Sequence, residues 1–549
     1  MKKPAKIPLK PIYQLLDDAV AAHGPRVAMD FMGRRWLYRE LAELVDRAAA
    51  GFRELGVKRG VRVGLHLPNT PYYVICYFAI LKAGGIVVNY NPLYVERELA
   101  QQIKDSGTSI MVSMDLVALH SKLSPLLGQG TFQKLVICKM AEALPPLKSL
   151  AFRLLKRKDL AKVAKDPRIT AFETLITMGS VKAPEKIDPK SEIAVLQYTG
   201  GTTGVPKGAV LTHGSISANV EQLRLLISMY EHHDEKMMCA LPFFHVFGMT
   251  VTMLMGIFHG AELILVPRFE VEQVLKLTVK KRPTMFPGVP TIYIALNRAI
   301  AARSKKPKLD SIRFCISGGA PLPREVQQEF TRLTGCKLVE GYGLSETSPV
   351  VTCNPFDGEN REGSIGLPLP GTVVEFRSLD DPRKVVKKGE RGEVCVRGPQ
   401  VMAGYWQHPD ATKEVMIDGA LRTGDVGYAD PDGYIYIVDR VKDLIICSGF
   451  KVYPRVIEDA LYTHPAVAEA VVVGLPDAYR GQSPKAYVKL KDGMEVTQDV
   501  LKTYLASHLS KVEMPHEIEF RSELPRTLIG KFSKKALLDE ENAKAGKSL

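Results

Sequence analysis

Tyr198-Thr-Gly-Gly-Thr-Thr-Gly-Val-Pro-Lys-Gly208 packs four glycines, three threonines and one lysine into eleven residues, directly after the apolar run Ile193-Ala-Val-Leu-Gln197. The run reads as a buried strand. Glycines let a backbone turn sharply and come close to a ligand. Successive amide N–H groups and threonine hydroxyls are donors that suit phosphate oxygens, and Lys207 adds a point charge. The pattern predicts a phosphate cradle. It departs from the loop G-x-x-x-x-G-K-[ST], because Val205 and Pro206 stand five residues after Gly200 and Gly201, and Gly208 follows Lys207. The plainer alternative is a Gly/Thr surface loop, which sits poorly with so abrupt a strand and an embedded Pro-Lys-Gly.

Upstream, the chain alternates between short apolar runs and helical patterns. Arg62–Leu67, Ile86–Val88, Ile110–Val112 and Lys134–Ile137 read as strands, and Tyr72–Lys82 reads as a helix closed by Ala83-Gly-Gly85. Downstream, Ala218–Tyr230 reads as a helix, and Met237–Leu241, Ala261–Val266 and Ser311–Ile316 as strands. Such alternation predicts an α/β fold with largely parallel sheets. Ile316-Ser-Gly-Gly-Ala-Pro321 and Lys337-Leu-Val-Glu-Gly-Tyr-Gly343 place small residues just past strand ends, where open α/β sheets bind ligands. From about residue 363 the texture changes to short strands with turns, which predicts a β-rich subdomain. After Asp439-Arg-Val-Lys442 a small α/β unit follows, with helices over Pro454–Tyr462 and Gln498–Leu509. A domain boundary is expected near Lys442, giving 1–441 and 442–549.

At 549 residues the chain exceeds one core. Its eight cysteines are scattered without paired spacing, which argues against a zinc site or disulfide framework and for a reducing, cytoplasmic setting. Asp17 and Asp18 interrupt any apolar core in the basic N-terminus, so no signal peptide is expected. The net charge of +14 is uneven: residues 148–168 hold eight basic side chains against two acidic ones. Leu147, Leu150, Ala151, Leu154 and Leu155 fall at helical spacing there, backed by Arg153, Lys156, Arg157 and Lys158. Two readings stay open for that segment: a helix lying on the anionic inner face of a membrane, or a solvated basic face docked on the body by its leucines. Nothing accompanies the charge that would favour nucleic acid.

Several residues have chemistry to offer. His245 closes Leu241-Pro-Phe-Phe-His245 after a strand, although such histidines are more often packed core residues. Gly341-Tyr-Gly-Leu-Ser-Glu-Thr347 offers a ring, hydroxyls and the carboxylate of Glu346, a hard oxygen ligand suited to Mg²⁺ or a simple surface acid. Thr423-Gly-Asp425 supplies a carboxylate in a tight turn. Pro525-Arg-Thr-Leu-Ile-Gly-Lys531 presents a lysine after a glycine.

Taken together and in order, these motifs resemble the adenylate-forming superfamily of acyl-CoA synthetases, luciferases and adenylation domains. The match spans Tyr198–Gly208, Leu241–His245, Gly341–Thr347, Thr423–Asp425, Asp439–Lys442 and Pro525–Lys531. The segment from Asp418 to Pro454 is similar to the signature of fatty acyl-CoA synthetases of the bacterial long-chain type. The resemblance implies a large N-terminal domain of two α/β subdomains and a β-rich subdomain, followed by a small mobile α/β C-terminal domain. It implies that a long-chain fatty acid is joined to CoA through an acyl-adenylate, with ATP, Mg²⁺ and CoA taking part.

Carried over residue by residue, the resemblance places Thr199, Gly200, Gly201, Thr202, Thr203, Gly204 and Lys207 on the β- and γ-phosphates, with Thr202 and Glu346 at the metal. Gly319, Ala320, Tyr342, Gly343 and Ser345 would frame the nucleotide base, and Asp425 and Arg440 would hold the ribose. His245 would line the acyl site, and Lys531 would bridge the carboxylate and the α-phosphate. Lys442 would be the hinge, with Ser448, Gly449 and Phe450 facing CoA. Ser345 stands where threonine is frequent in the superfamily. Some members gate the acyl tunnel with a tryptophan, but the two here, Trp36 and Trp406, are remote in sequence from His245. Gly248, Gly256 and the methionines at 249, 253 and 255 suit a roomy apolar pocket, or simply a buried helix. Alternatives from the same and other classes are a medium-chain or aryl acid–CoA ligase, an acyl-AMP ligase loading a carrier protein, a luciferase-type monooxygenase, and a membrane-associated fatty-acid uptake module. A homodimer is compatible with all of these.

Overall fold

Seven strands make the first sheet, in the order Ile169–Ala171, Lys134–Cys138, Ile110–Met114, Arg62–Leu65, Ile86–Asn89, Ile193–Thr199 and Lys207–Thr212. The first six are mutually parallel and the seventh is antiparallel to its neighbour. Parallel strands covered on both faces need near-continuous apolar runs, which these sequences supply. The covering helix Pro71–Lys82 is buried along its whole length, the expected outcome for a helix that is hydrophobic all round. Its one charge, Lys82, sits between Asp17 at 2.9 Å and Asp46 at 2.7 Å. This computed structural model describes residues 7–199, 206–227, 234–526 and 532–544.

A second sheet carries Lys236–Cys239, Glu262–Leu265, Val27–Phe31 and Arg34–Leu37, so the N-terminal hairpin completes a sheet built mostly from residues two hundred positions later. Bridges through Met285 and Gly288 lead on to a third, with strands Cys315–Ser317, Leu338–Gly343, Val350–Cys353 and Leu367–Pro368. The strand expected over Ser311–Ile316 starts only at Cys315, because Ile312 N–H turns back to the Leu309 carbonyl at 3.3 Å. Gly248 and Gly256 are not openings onto a pocket. A Cβ on Gly248 would sit 2.1 Å from the Pro242 carbonyl oxygen, and one on Gly256 would sit 2.4 Å from Leu263 Cδ2. They are the close-contact points of the wide-turned π-helix Gly248–Leu254 and the turn of α-helix after it.

All of this lies in one compact unit, Met1–Val373 with Val396–Gly419; the other unit is Val374–Cys395 with Ala420–Leu549. The second unit begins with a twisted sheet in which Ala420–Ala429 pairs antiparallel with Ile435–Arg440. It continues as a sheet of Phe450–Val452, Ile445–Cys447, Gly481–Leu490, Val467–Asp477 and Glu517–Phe520, flanked by helices Pro454–Tyr462, Gln498–Leu505 and Lys534–Lys544.

Within the first unit, buried amides tie the turn before His245 to the seven-stranded sheet. Asn69 Nδ2 donates to the carbonyls of Cys239 (2.9 Å) and Leu241 (2.8 Å), and its Oδ1 accepts from Phe243 N–H at 2.8 Å. Tyr73 Oη donates to the Phe243 carbonyl and to Asn89 Oδ1, Asn89 Nδ2 donates to Gln197 Oε1, and Gln197 Nε2 donates to the Phe244 carbonyl. Every partner is satisfied, so removing one strands several buried groups. We expect Asn69→Leu, similar in size, to lower unfolding stability by about 2–4 kcal/mol. A denaturant midpoint unchanged from wild type would contradict the structural weight given to this network.

Candidate active site

The glycine- and threonine-rich stretch closes a β-hairpin. Thr199 lies opposite Lys207 and Tyr198 opposite Gly208 in an antiparallel ladder, so the residues flanking the stretch belong to two paired strands. A P-loop instead runs into a helix, and the failed pattern in the sequence reflects that difference. Gly200, Gly201, Thr202, Thr203 and Gly204 lie outside the described residues. The hairpin base is pinned at three points. Tyr198 Oη donates to Asp105, whose other oxygen lies 3.2 Å from His408 Nε2. Trp406 N–H donates to the Gly208 carbonyl at 2.8 Å, and Val210 N–H to the Gly404 carbonyl at 2.9 Å. The segment around Ala403–Trp406 therefore covers what would otherwise be an open sheet edge.

Sequence reasoning passed over that segment, which reads as a bland Val401-Met-Ala-Gly-Tyr-Trp406. The structure makes Tyr405 a member of the site. Its phenol donates to Glu346 Oε1 at 2.7 Å, and Lys207 Nζ lies 5.6 Å from its ring centroid. One side chain thus touches two of the candidates. Burial, followed by the Glu346 charge, pushes the phenol's pKa above its ordinary value, so it remains a proton donor. The Glu346 backbone is held by Met402 N–H at 2.7 Å in the short 3₁₀ turn Ser345–Thr347.

The loops expected to frame a base leave one sheet edge side by side. Ser317 is paired with Glu340 in the parallel ladder of Cys315–Ser317 with Leu338–Gly343. Gly319 (φ +81°) and Ala320 follow the first strand, and Tyr342, Gly343 and Ser345 finish or follow the second. Gly343 is required by space alone, since a Cβ there would fall 1.8 Å from the Pro349 carbonyl oxygen. His245 stands half-buried just before the π-helix. Its Nδ1 accepts from Phe247 N–H at 3.3 Å, which places the ring proton on Nε2.

In the second unit, Asp425 and Arg440 meet across the ladder, with Arg440 Nε 3.2 Å from Asp425 Oδ1. Gly424 (φ +73°) lies within the strand Ala420–Ala429 just before Asp425, and Thr423 Oγ1 receives the Asp425 N–H. Lys442 lies in the 3₁₀ turn Val441–Asp443, where burial lowers its pKa. Ser448 and Gly449 form a two-residue hairpin turn with φ of +50° and +82°, the primed geometry that favours glycine. Phe450, next along, is 62% exposed. Lys531 falls outside the described residues. Its flanks are fixed by the bridge Arg526↔Phe532 and by Lys534–Lys544, whose Leu537 is buried with Val471, Val473 and Tyr487.

Asp439 accepts from Arg455 N–H at the start of the helix Pro454–Tyr462 and from Arg440 N–H. Burial raises its pKa from 3.8 to about 6, against the nearby Lys534 charge, which lowers it. The native state therefore holds a proton between those values that the unfolded chain releases. This contribution to stability is complete below pH 3.8 and is lost as pH rises through about 6. We expect Asp439→Asn, which keeps one of the two acceptor oxygens, to shift in stability relative to wild type by up to about 3 kcal/mol in the variant's favour between pH 4 and pH 7, whatever the fixed cost of the lost acceptor. Thermal melts across that range check it; a difference independent of pH would contradict it.

The pattern of the AMP-binding enzyme family matches residues 16–406, and that of the AMP-binding enzyme C-terminal domain matches 456–531. Over 538 residues the chain is 41% identical to the long-chain-fatty-acid–CoA ligase of Bacillus subtilis (strain 168), covering 97% of this chain and 95% of that protein. The protein of the same name from Salmonella typhimurium is 38% identical over 544 residues, at 97% and 95% coverage. The crystal structure of ATP-bound MatB from Rhodopseudomonas palustris is similar with a TM-score of 0.82 at 28% identity, covering 98% of this chain and 100% of that chain. Two family patterns in the right order, over a hairpin, sheet-edge loops and a carboxylate–arginine pair, place this chain in the AMP-binding enzyme family.

Proposed function

We propose that the protein ligates a long-chain fatty acid to CoA, using ATP and releasing AMP and pyrophosphate through an acyl-adenylate. The observation that carries this is identity of 37–41% over nearly the full length to ligases of that name. A carboxylate is a poor electrophile, and adenylation gives it a good leaving group. Catalysis is then mostly a matter of holding two anions together and stabilising charge at the α-phosphate. Thr199 and Lys207 stand at the mouth of the hairpin where the β- and γ-phosphates would be gripped. Gly319, Ala320 and Tyr342 would take the base. The Asp425 carboxylate, braced by Arg440, suits a ribose diol. His245, with its proton on Nε2, would meet the acyl carboxylate.

Glu346 fits a divalent cation, since Oε1 accepts from Tyr405 while Oε2 accepts from no described residue. With Thr202 it would hold Mg²⁺, which supplies charge neutralisation to the phosphates when bound. Tyr405 then has the role of keeping that carboxylate aimed. Lys531 would bridge the substrate carboxylate and the α-phosphate in the first half-reaction. Its place at the end of the C-terminal domain match, on a segment bracketed by a bridge and a docked helix, supports that reading. Lys442 would be the hinge, and the Ser448–Phe450 turn would serve CoA in the second half-reaction. Eight unpaired cysteines support a reducing, cytoplasmic setting.

ATP–pyrophosphate exchange with acids from about six to about twenty carbons tests the substrate class; a maximum at short or aryl acids would replace the long-chain reading. Lys531→Ala should abolish adenylate formation while thioester formation from supplied acyl-adenylate persists, and equal loss of both would remove the assignment. For Tyr405→Phe we expect about a tenfold drop in adenylation, from loss of one charge-assisted hydrogen bond. It should come with a raised requirement for Mg²⁺ and weaker Mn²⁺ binding by paramagnetic resonance. An unchanged metal requirement would leave Tyr405 without the positioning role.

A further inference from the structure

The helix Pro146–Leu155 buries none of its residues. Leu147, Leu150, Leu154 and Leu155 are 84%, 59%, 70% and 83% exposed, although leucine is among the residues most often found inside. Their spacing puts them in one stripe along the helix. The helix is held by its polar groups instead. Lys148 Nζ donates to the Met32 carbonyl at 2.7 Å, and Arg153 pairs with Glu142 at 2.5 Å. Of the two readings the sequence left open, docking onto the body through the leucines is thus excluded.

The charge around the stripe selects what covers it. Arg157, Lys158, Lys162 and Lys165 are exposed and form no ion pair among the described residues. A second copy of the chain would bring the same positive field against them, and nucleic acid would leave the leucines without a role. A bilayer with anionic headgroups satisfies both parts, taking leucines at the acyl boundary and cations at the phosphates. The position is suitable as well. The chain reaches this helix from the C-terminal end of Lys134–Cys138, four strand positions from Ile193–Thr199. The two strands are parallel through their neighbours, so both exits lie on one edge of the sheet, about 19 Å apart at ~4.8 Å per strand.

We propose that Pro146–Leu155 is a membrane-docking helix that lays its leucine stripe into an anionic bilayer and so brings the site to fatty acid dissolved in lipid. The benefit to the substrate rests on the ligase reading; the docking does not.

The test is flotation of the full-length protein with phosphatidylglycerol/phosphatidylcholine vesicles and with phosphatidylcholine vesicles alone. Wild type should float with the anionic vesicles, less so in high salt. Leu150→Glu/Leu154→Glu should lower the partition coefficient about tenfold or more, and Arg157→Gln/Lys158→Gln about fivefold per charge removed. Melting temperature, and turnover of a short water-soluble acid, should match wild type in both variants. If wild type stays with the aqueous phase, or if the leucine variant floats as well as wild type, the proposal is overturned. It is equally overturned if sedimentation shows a dimer that the leucine variant abolishes without any flotation, which assigns the stripe to a second copy. Absence of ligase activity in every protein, with flotation as expected, would overturn the functional reading and leave the docking intact.

Discussion

The turn Phe243–His245 is held by buried amides, and much of the first unit depends on that restraint. Asn69, Tyr73 and Gln197 come from the seven-stranded sheet, the helix that covers it and the loop between, yet their hydrogen bonds end on backbone of the segment that leads to His245, with Asn89 linking Tyr73 to Gln197. A polar group buried without a partner is costly, so each of these side chains fixes its target as firmly as the target satisfies it. The result is that a loop between elements behaves as part of the core. Gln197 sits two residues before Thr199, so the strand feeding the phosphate hairpin and the turn bearing the histidine share one set of bonds.

In the proposed reading, phosphate is met at a hairpin and not at a helix N-terminus. A hairpin brings no macrodipole, and its positive character must come from amides, hydroxyls and a lysine. Lys207 lies on the ladder opposite Thr199, and its neighbour across the sheet edge is an aromatic ring that tolerates a cation. Tyr405 also donates a hydrogen bond to Glu346, so its side chain touches both Lys207 and the carboxylate.

Much of this was legible in the sequence, for physical reasons. The apolar runs at Ile86, Ile110, Lys134 and Ile193 became neighbouring strands because burial on both faces leaves a signal of period one, and Pro71–Lys82 because a helix in the core is apolar all round. Asp425 and Arg440 were named from motifs and met in register. What escaped was pairing at long range. Asn69 and Gln197 carry no local pattern that marks them as clamps, and Tyr405 lies some two hundred residues from Lys207. The glycines at 248 and 256 suit a pocket or a buried helix alike in sequence, and the structure favours the helix, since the space beside them is filled by the Pro242 carbonyl and by Leu263. The hinge role proposed for Lys442 and the reach proposed for Lys531 concern motion, which no single sequence pattern encodes.

The strand segment carrying Tyr405 has a further consequence for how the polypeptide is made. Val396–Gly419 belongs to the first unit but is threaded between Val374–Cys395 and Ala420 onwards, which belong to the second. The chain passes from one unit to the other three times. No single cleavage separates the two, and a fragment ending near residue 373 lacks the covering edge of its own hairpin. During synthesis the first unit cannot close until residue 419 has left the ribosome. By then the opening strands of the second are already outside, so the first unit is completed only after part of the second has been made.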